Sequence, residues 1–289
     1  MPAEAVHLSA LEDSRPFLDA EAARALAAHP RAARLGAVLV DLPYFERFPR
    51  ELARYVLGRP PQPSTWGDRL HREAPSRLGF QLLHAARAMS GPQRAPLLAL
   101  GLGYVSHCAV DWTLHPLVNR LARARAQRLG STEGAQHREV EKLQSVIFHT
   151  ARFGGEFMGS PSLRQHIGVA AGALLVDDGL HEALDRALRT TLGAAPTRAA
   201  WRDWSRGYAQ YVEVLSSPFG RLIATQSERA RERAELYDVP DLPRRHDEAV
   251  ARSAAYINAA FSAFEAGHDD FDRYRLAIPE GSIDEPPSS

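Results

Sequence analysis

"GYVSHCAVDWTLHP", residues 103–116, decides how this chain folds. It continues an apolar run holding Leu97, Leu98, Leu100, Leu102, Tyr104, Val105, Ala109, Val110, Trp112 and Leu114. His107, Asp111 and His115 stand inside the run, each four residues after the last. Side chains four apart on a helix are neighbours. At about 100° per residue the three share an arc of about 80° and span about 12 Å of axis. Each buried polar group needs a partner. A hydrogen bond in the core satisfies a lone His–Asp pair, but a third member in register asks for more. One metal ion cannot easily take all three, whereas two or three close together can, with Asp111 as the shared carboxylate.

Outward from that stretch, the chain reads as all-α. Ala, Leu, Arg and Glu dominate and β-branched clusters are scarce. "DAEAARALAAHPRAARLGAVLV" is helical with a break at Pro30, and "DLPYFERFPRELARYVLG" opens the next helix. "RPPQPSTWGDRLHRE" reads as a Pro-rich loop, followed by a helix over 76–90 that stops at "SGP". The central helix spans 93–115 and should end or kink at Pro116, whose ring clashes with the carbonyl of residue 112. Residues 122–139 read as a solvated connector near the site, with a helix over 135–153 broken by "GGEFMGSP". Residues 162–192 and 197–215 are helical, and "DVPDLP" (238–243) is a linker. The last helix, 244–266, carries Val250, Ala254, Ile257, Phe261 and Phe264 at helical spacing and should dock on the body. One domain is expected over 1–278, with a disordered tail over 279–289.

Composition narrows the function classes. The 289 residues hold 35 Lys and Arg against 35 Asp and Glu, so no basic excess meets a nucleic-acid backbone and no general nucleic-acid binding is expected. A single cysteine, Cys108, excludes an internal disulfide and a cysteine zinc site. The N-terminus has neither a basic start nor a long apolar core, so no signal peptide is expected and the cytoplasm is the expected location. The run over 95–118 is long enough for a membrane span, but its Asp and His residues fit a buried helix better, so no transmembrane segment is expected.

Other residues extend the polar set. His137 and Glu141 in "QHREVEKL" form a second i, i+4 pair, of donor types that zinc takes; the alternative is an exposed helix face. Asp41 in "GAVLVDLPYF" could be the N-cap of the following helix, and His71 and His7 are unremarkable alone. "GLG" at 101–103 has no Lys and no preceding strand, so it is no phosphate loop. Ser106 beside His107 is no nucleophile elbow, and His84, His149, His166, His181, His246 and His268 are read as ordinary histidines. Trp201, Trp204, Tyr208 and Tyr211 form an aromatic stripe, read as core.

Asp41, His71, His107, Asp111, His115, His137 and Glu141, in this order on a helical chain, resemble the zinc-dependent phospholipase C family, within the superfamily that includes S1/P1 nucleases. The stretches that carry the resemblance are "DLPYF", "GDRLHRE", "GYVSHCAVDWTLHP" and "HREVE", over about residues 5–145. The resemblance implies an all-α fold with up to three zinc ions between helices. Asp41, His71, His107 and Asp111 would hold the first, His115, His137 and Glu141 the second, and His7 with a bridging Asp111 the third. The count expected is two zinc ions, or three. Secreted members use a processed N-terminal Trp as a ligand and have a longer interval between the Asp and the next His; this sequence starts with Met and spaces Asp111 and His115 by four.

The implied reaction is phosphodiester hydrolysis, with a metal-held hydroxide attacking phosphorus and Asp41 and Asp111 as catalytic residues. Asp41 is a ligand or a proton acceptor in this reading. The substrate expected is a small-molecule or lipid-like phosphodiester. Two rivals stand beside it. S1/P1-type nucleases share the cluster but usually carry Asp where this chain has Glu141. A non-catalytic, metal-binding helical scaffold acting through a partner is the other.

Overall fold

The computed structural model describes residues 4–57, 59, 62, 64–153, 159–169, 171, 178–220, 241–267 and 271–283. Among these the chain is all-α, with no strand. The N-terminal half contains α1 (Glu4–Asp13), α2 (Ala20–Ala28), α3 (Pro30–Gly36), α4 (Phe48–Val56), α5 (Thr65–Arg72) and α6 (Pro75–Ala88). The centre is α7 (Arg94–Leu129), followed by α8 (Glu133–Phe153) and α9 (Pro161–Ile167). We number the remainder α10 (Asp178–Leu192), α11 (Arg198–Ser216), α12 (Asp241–Glu265) and α13 (Phe271–Ala277).

Every residue of α7 from Leu97 to His115 is buried, so the helix is an axle with no solvent face in that interval. Its length, about 54 Å at 1.5 Å per residue, spans the fold. Helices α1, α3, α6, α8 and α12 all pack against it. It is also the one helix among the described residues long and apolar enough to cross a membrane, and its apolar window lies wholly inside the fold. The expectation of a break at Pro116 is corrected: Pro116 lies inside α7. Its ring removes one N–H, but the helix continues past it, and Leu117 and Val118 beyond it are buried.

α3 meets α7 backbone to backbone. A Cβ on Gly36 would collide with the carbonyl oxygen of Leu100, and one on Gly103 with that of Ala33. Glycine at both points lets the helices touch, which brings the turn after α3 against the centre of α7. Of the "GLG" stretch, Gly103 therefore serves this crossing, while Gly101 faces Leu82 and Leu83 of α6.

Two expected loops are helices. Ser64 accepts a hydrogen bond from the Gly67 N–H at 3.2 Å and caps α5, so the second half of "RPPQPSTWGDRLHRE" is helical and carries His71. The expected connector at 122–139 is mostly helix: α7 runs to Leu129, Gly130 closes it with φ +61°, and α8 starts at Glu133. Likewise Asp241–Pro243 of the expected linker form the first turn of α12, where proline is tolerated because its N–H has no helical partner to lose. The expected continuous helix over 162–192 is α9 and α10, with residues 170 and 172–177 outside the described set. Residues 154–158 of "GGEFMGSP" and 238–240 of "DVPDLP" lie outside it too.

The aromatic stripe on α11 is core: Trp201, Trp204, Tyr208 and Tyr211 are all buried. Tyr208 and Tyr211 clasp Phe45, each with ring centroids 4.9 Å from it. On α12, Val250, Ala254, Ile257 and Phe264 are buried and Phe261 is half-buried, as the docking face required. The tail expectation is corrected for residues 279–283. Ile283 is fully buried, and the Trp112 indole donates to the Ser282 carbonyl at 3.1 Å. An apolar side chain and a row of backbone bonds supply the docking energy that the sequence "PEGSI" does not advertise. Residues 284–289 lie outside the described set.

Candidate metal centre

The structure brings all eight expected residues together. α1 supplies His7, the turn after α3 supplies Asp41, and α5 supplies His71. α7 supplies His107, Asp111 and His115, and α8 supplies His137 and Glu141. Asp41 is not a side-chain cap: no helix N–H bonds its carboxylate, which turns inward. Donor atoms within 4.8 Å of one another form three groups: His7, His107 and Asp111; Asp41, His71 and His107; His115, His137 and Glu141.

Asp111 links the groups. Its Oδ1 lies 3.2 Å from His7 Nε2 and 3.4 Å from His115 Nε2. Its Oδ2 lies 2.9 Å from His107 Nε2 and 3.8 Å from His71 Nε2. Asp41 Oδ1 is 3.3 Å from His71 Nε2. Glu141 Oε1 is 3.2 Å from His137 Nε2 and 3.4 Å from His115 Nε2. His7 stacks on His107 with centroids 4.0 Å apart.

For four of the five rings, the far side fixes which nitrogen carries hydrogen. His107 Nδ1 faces the Ala37 carbonyl at 2.9 Å, His71 Nδ1 the Gly67 carbonyl at 2.8 Å, and His115 Nδ1 the Ile283 carbonyl at 2.7 Å. His137 Nδ1 faces Asn119 Oδ1 at 2.9 Å. A carbonyl oxygen only accepts, so each Nδ1 donates and, in the neutral ring, each Nε2 presents a lone pair to the centre. This is how a metal-binding histidine is held by its outer partner.

The tautomers create a conflict that a cation resolves. His107 Nε2 and Asp111 Oδ2 are at ion-pair distance, yet both are buried without a hydrogen bond, as are Asp41 Oδ2 and His7 Nδ1. With the His107 hydrogen committed to Ala37, the short contact sets a lone pair against a carboxylate oxygen. That arrangement repels unless a proton or a metal ion lies between them. The donor set of imidazole and carboxylate is the one zinc accepts, so these residues fit it.

Titration follows from the same proximity. Burial alone raises the Asp111 carboxyl, but the charges of His107, His115 and His7 outweigh it and hold it well below the usual range. Glu141 is likewise held low against its burial, by His137 and His115. Burial depresses His107, yet Asp111 and Asp41 more than offset it and raise the imidazole. Protons and a divalent cation thus compete for one set of lone pairs. Cys108, one residue from His107, is no competitor: burial pushes its thiol far up, and it joins none of the groups.

The centre opens on a cavity of about 730 Å³. Asp41, His71, His115, His137 and Glu141 line it, with Tyr44, Phe45, Phe48 and Trp66 among its aromatic walls. Its wall is mixed in charge: Arg47, Arg59, Arg72, Arg138 and Lys142 stand among Glu46, Glu51, Asp68, Glu133 and Glu139, with Arg47 paired to Glu46 and Lys142 to Glu139. His84, His166, His181 and His246 fall in none of the three groups, as expected of ordinary histidines; the side chains of His149 and His268 lie outside the described residues.

Sequence reasoning missed Asn119, though the signal was present: it continues the four-residue series 107, 111, 115 along α7. It also missed the backbone acceptors at Ala37 and Ile283, which no side-chain motif announces.

Fold and site together define an all-α protein built around a buried His/carboxylate cluster of residues that could hold metal ions. The sequence model of a family described as zinc dependent phospholipase C matches residues 6–187, from α1 into α10, and the chain belongs to that family. No curated protein and no solved structure matches it.

Proposed function

We propose that this protein is a zinc-dependent hydrolase of phosphodiesters, acting on a small or lipid-like substrate in the manner of a phospholipase C. The observation that carries the reading is the buried confrontation of His107 Nε2 with Asp111 Oδ2, beside the unsatisfied Asp41 Oδ2, next to a cavity of substrate size. Membership of a family described as zinc dependent phospholipase C supports both the zinc and the reaction class.

Asp41, His71, His107 and Asp111 would hold one ion, and His115, His137 and Glu141 a second; His7 with Asp111 offers a third position. Bound zinc acidifies water and polarises phosphoryl oxygens. The residues do the remainder. Asp111 ties the groups at a fixed spacing through its two oxygens. Asp41 borders the cavity with one carboxylate oxygen uncommitted, and so can accept a proton from an attacking water. The aromatic walls would seat the apolar part of a substrate, while its anionic phosphate would be met by the bound cations rather than by the charge-balanced wall.

The test is a side-by-side assay of zinc-loaded protein on phosphatidylcholine micelles, an aryl phosphodiester, single-stranded DNA and RNA. Turnover of the lipid or aryl substrate is the expected result. Rapid hydrolysis of nucleic acid with the lipid untouched would move the protein to the S1/P1 side. Full zinc occupancy with no turnover of any substrate would leave a non-catalytic scaffold.

A further inference from the structure

The C-terminal segment Pro279–Ile283 crosses the metal centre from outside the family match, which ends at residue 187. It is tethered along its length. The Ser76 hydroxyl donates to the Pro279 carbonyl, and the Trp112 indole donates to the Ser282 carbonyl at 3.1 Å. Ile283 then bonds two histidines of different groups. Its N–H donates to the His71 carbonyl at 2.9 Å, and its carbonyl accepts from His115 Nδ1 at 2.7 Å. The Ile283 side chain is fully buried, which holds both bonds in register.

We infer that this segment is a positioning strap of the metal site: the Ile283 backbone sets the tautomer and ring position of His115 and thereby the affinity of the His115, His137 and Glu141 group. The inference rests on the metal reading above. With its hydrogen directed at Ile283, His115 turns Nε2 toward Asp111 Oδ1 and Glu141 Oε1, both at 3.4 Å. Without that acceptor the ring can rotate or protonate the other nitrogen, and the lone pair leaves the group. His71 depends on the strap less, because its own ring is fixed by the Gly67 carbonyl.

The experiment compares three chains: full length, one ending at Pro286, and one ending at Gly281, which loses Ser282 and Ile283. Each is loaded with zinc and then with cobalt, and is read by elemental analysis, chelator competition and the cobalt absorption spectrum. The chain ending at Pro286 should match full length. The chain ending at Gly281 should lose about 10- to 100-fold in affinity for one ion, the usual effect of removing an outer partner, with the others unchanged. In a His115→Ala background the same truncation should cost nothing further, because the strap acts through that ring. Equal affinity in all three chains, or an undiminished loss in the His115→Ala background, overturns the inference. Should the shortest chain fail to fold, Trp112→Phe carries the test: it removes the donor to Ser282 and part of the ring packed against Tyr256, and an unchanged affinity in the folded variant would overturn the inference equally. Less than one zinc ion per full-length chain would instead sink the metal reading itself.

Discussion

Replacing Gly103 by Ala tests whether the helix crossing and the metal centre are one construction. The added methyl would strike the carbonyl oxygen of Ala33, a backbone atom that cannot swing aside, so α3 and α7 must part. Overpacking of this kind costs about 3 kcal/mol at the upper end of its usual range, and alanine returns about 1 kcal/mol of helix propensity. A net loss of about 2 kcal/mol follows. Unfolding entropy for a chain of this size is about 0.6 kcal/mol/K, so Tm should fall by about 3 °C. The displacement also draws the Ala37 carbonyl from His107 Nδ1, now 2.9 Å away, and zinc affinity should drop by about 10-fold or more. Thermal denaturation and chelator competition measure the two effects on one preparation. Gly134→Ala on α8, where nothing lies within 4 Å, is the control and should gain up to about 1 kcal/mol. A Gly103→Ala variant as stable as the wild type, with unchanged zinc affinity, would refute the reasoning.

Three further outcomes are expected. Asp111→Asn removes the charge that faces four imidazoles and should lower both zinc content and phosphodiesterase activity by more than about 100-fold, beyond the usual outer-partner effect, whereas Asp203→Asn on the exposed face of α11 should do neither; equal effects in both assays would deny Asp111 its linking role. Asn119→Ala should weaken zinc binding by about 10- to 100-fold with little change in Tm, since it strips His137 of its acceptor, and titration calorimetry would read it. In stripped protein, the raised His107 contributes stability that is whole below its ordinary 6.5 and fades as pH rises, while the lowered Asp111 and Glu141 contribute stability that is whole above 3.8 and 4.5 and is lost as pH falls. The cluster should therefore help the stripped protein most between about pH 4.5 and 6.5, and zinc should move the stability maximum higher because protons compete with it; coincident Tm–pH curves would contradict this.

Much of the cluster was legible because its residues recur at helical spacing. His107, Asp111 and His115, or His137 and Glu141, announce a shared face wherever the chain is helical. Asp41 and His71 were harder: an Asp before a helix caps more often than it ligates, and the proline-rich approach to His71 hid the Ser64 cap that makes α5 a helix. Pro116 misled because the local rule prices a lost N–H and a ring clash, whereas α7 is buried on both sides of this exposed proline, from Leu97 to His115 before it and at Leu117 and Val118 after it. Ile283 was illegible for a deeper reason. It acts through backbone atoms, which every residue has, and its partners lie 168 residues and more away in the chain.

The uneven burial of the centre sets how fast its ions could come and go. Side chains of His7, Asp41, His71, His107 and Asp111 are at most 5% exposed, while His137 and Glu141 are 22% and 14% exposed and border the cavity. To reach the cavity, an ion among the inner residues would pass Asp41, His71 or His115, the nearly buried cluster residues that line it. A chelator should thus strip the protein in two phases. An outer ion should exchange faster, because His137 and Glu141 meet the cavity, and inner ions more slowly, because the side chains around them are nearly closed to solvent.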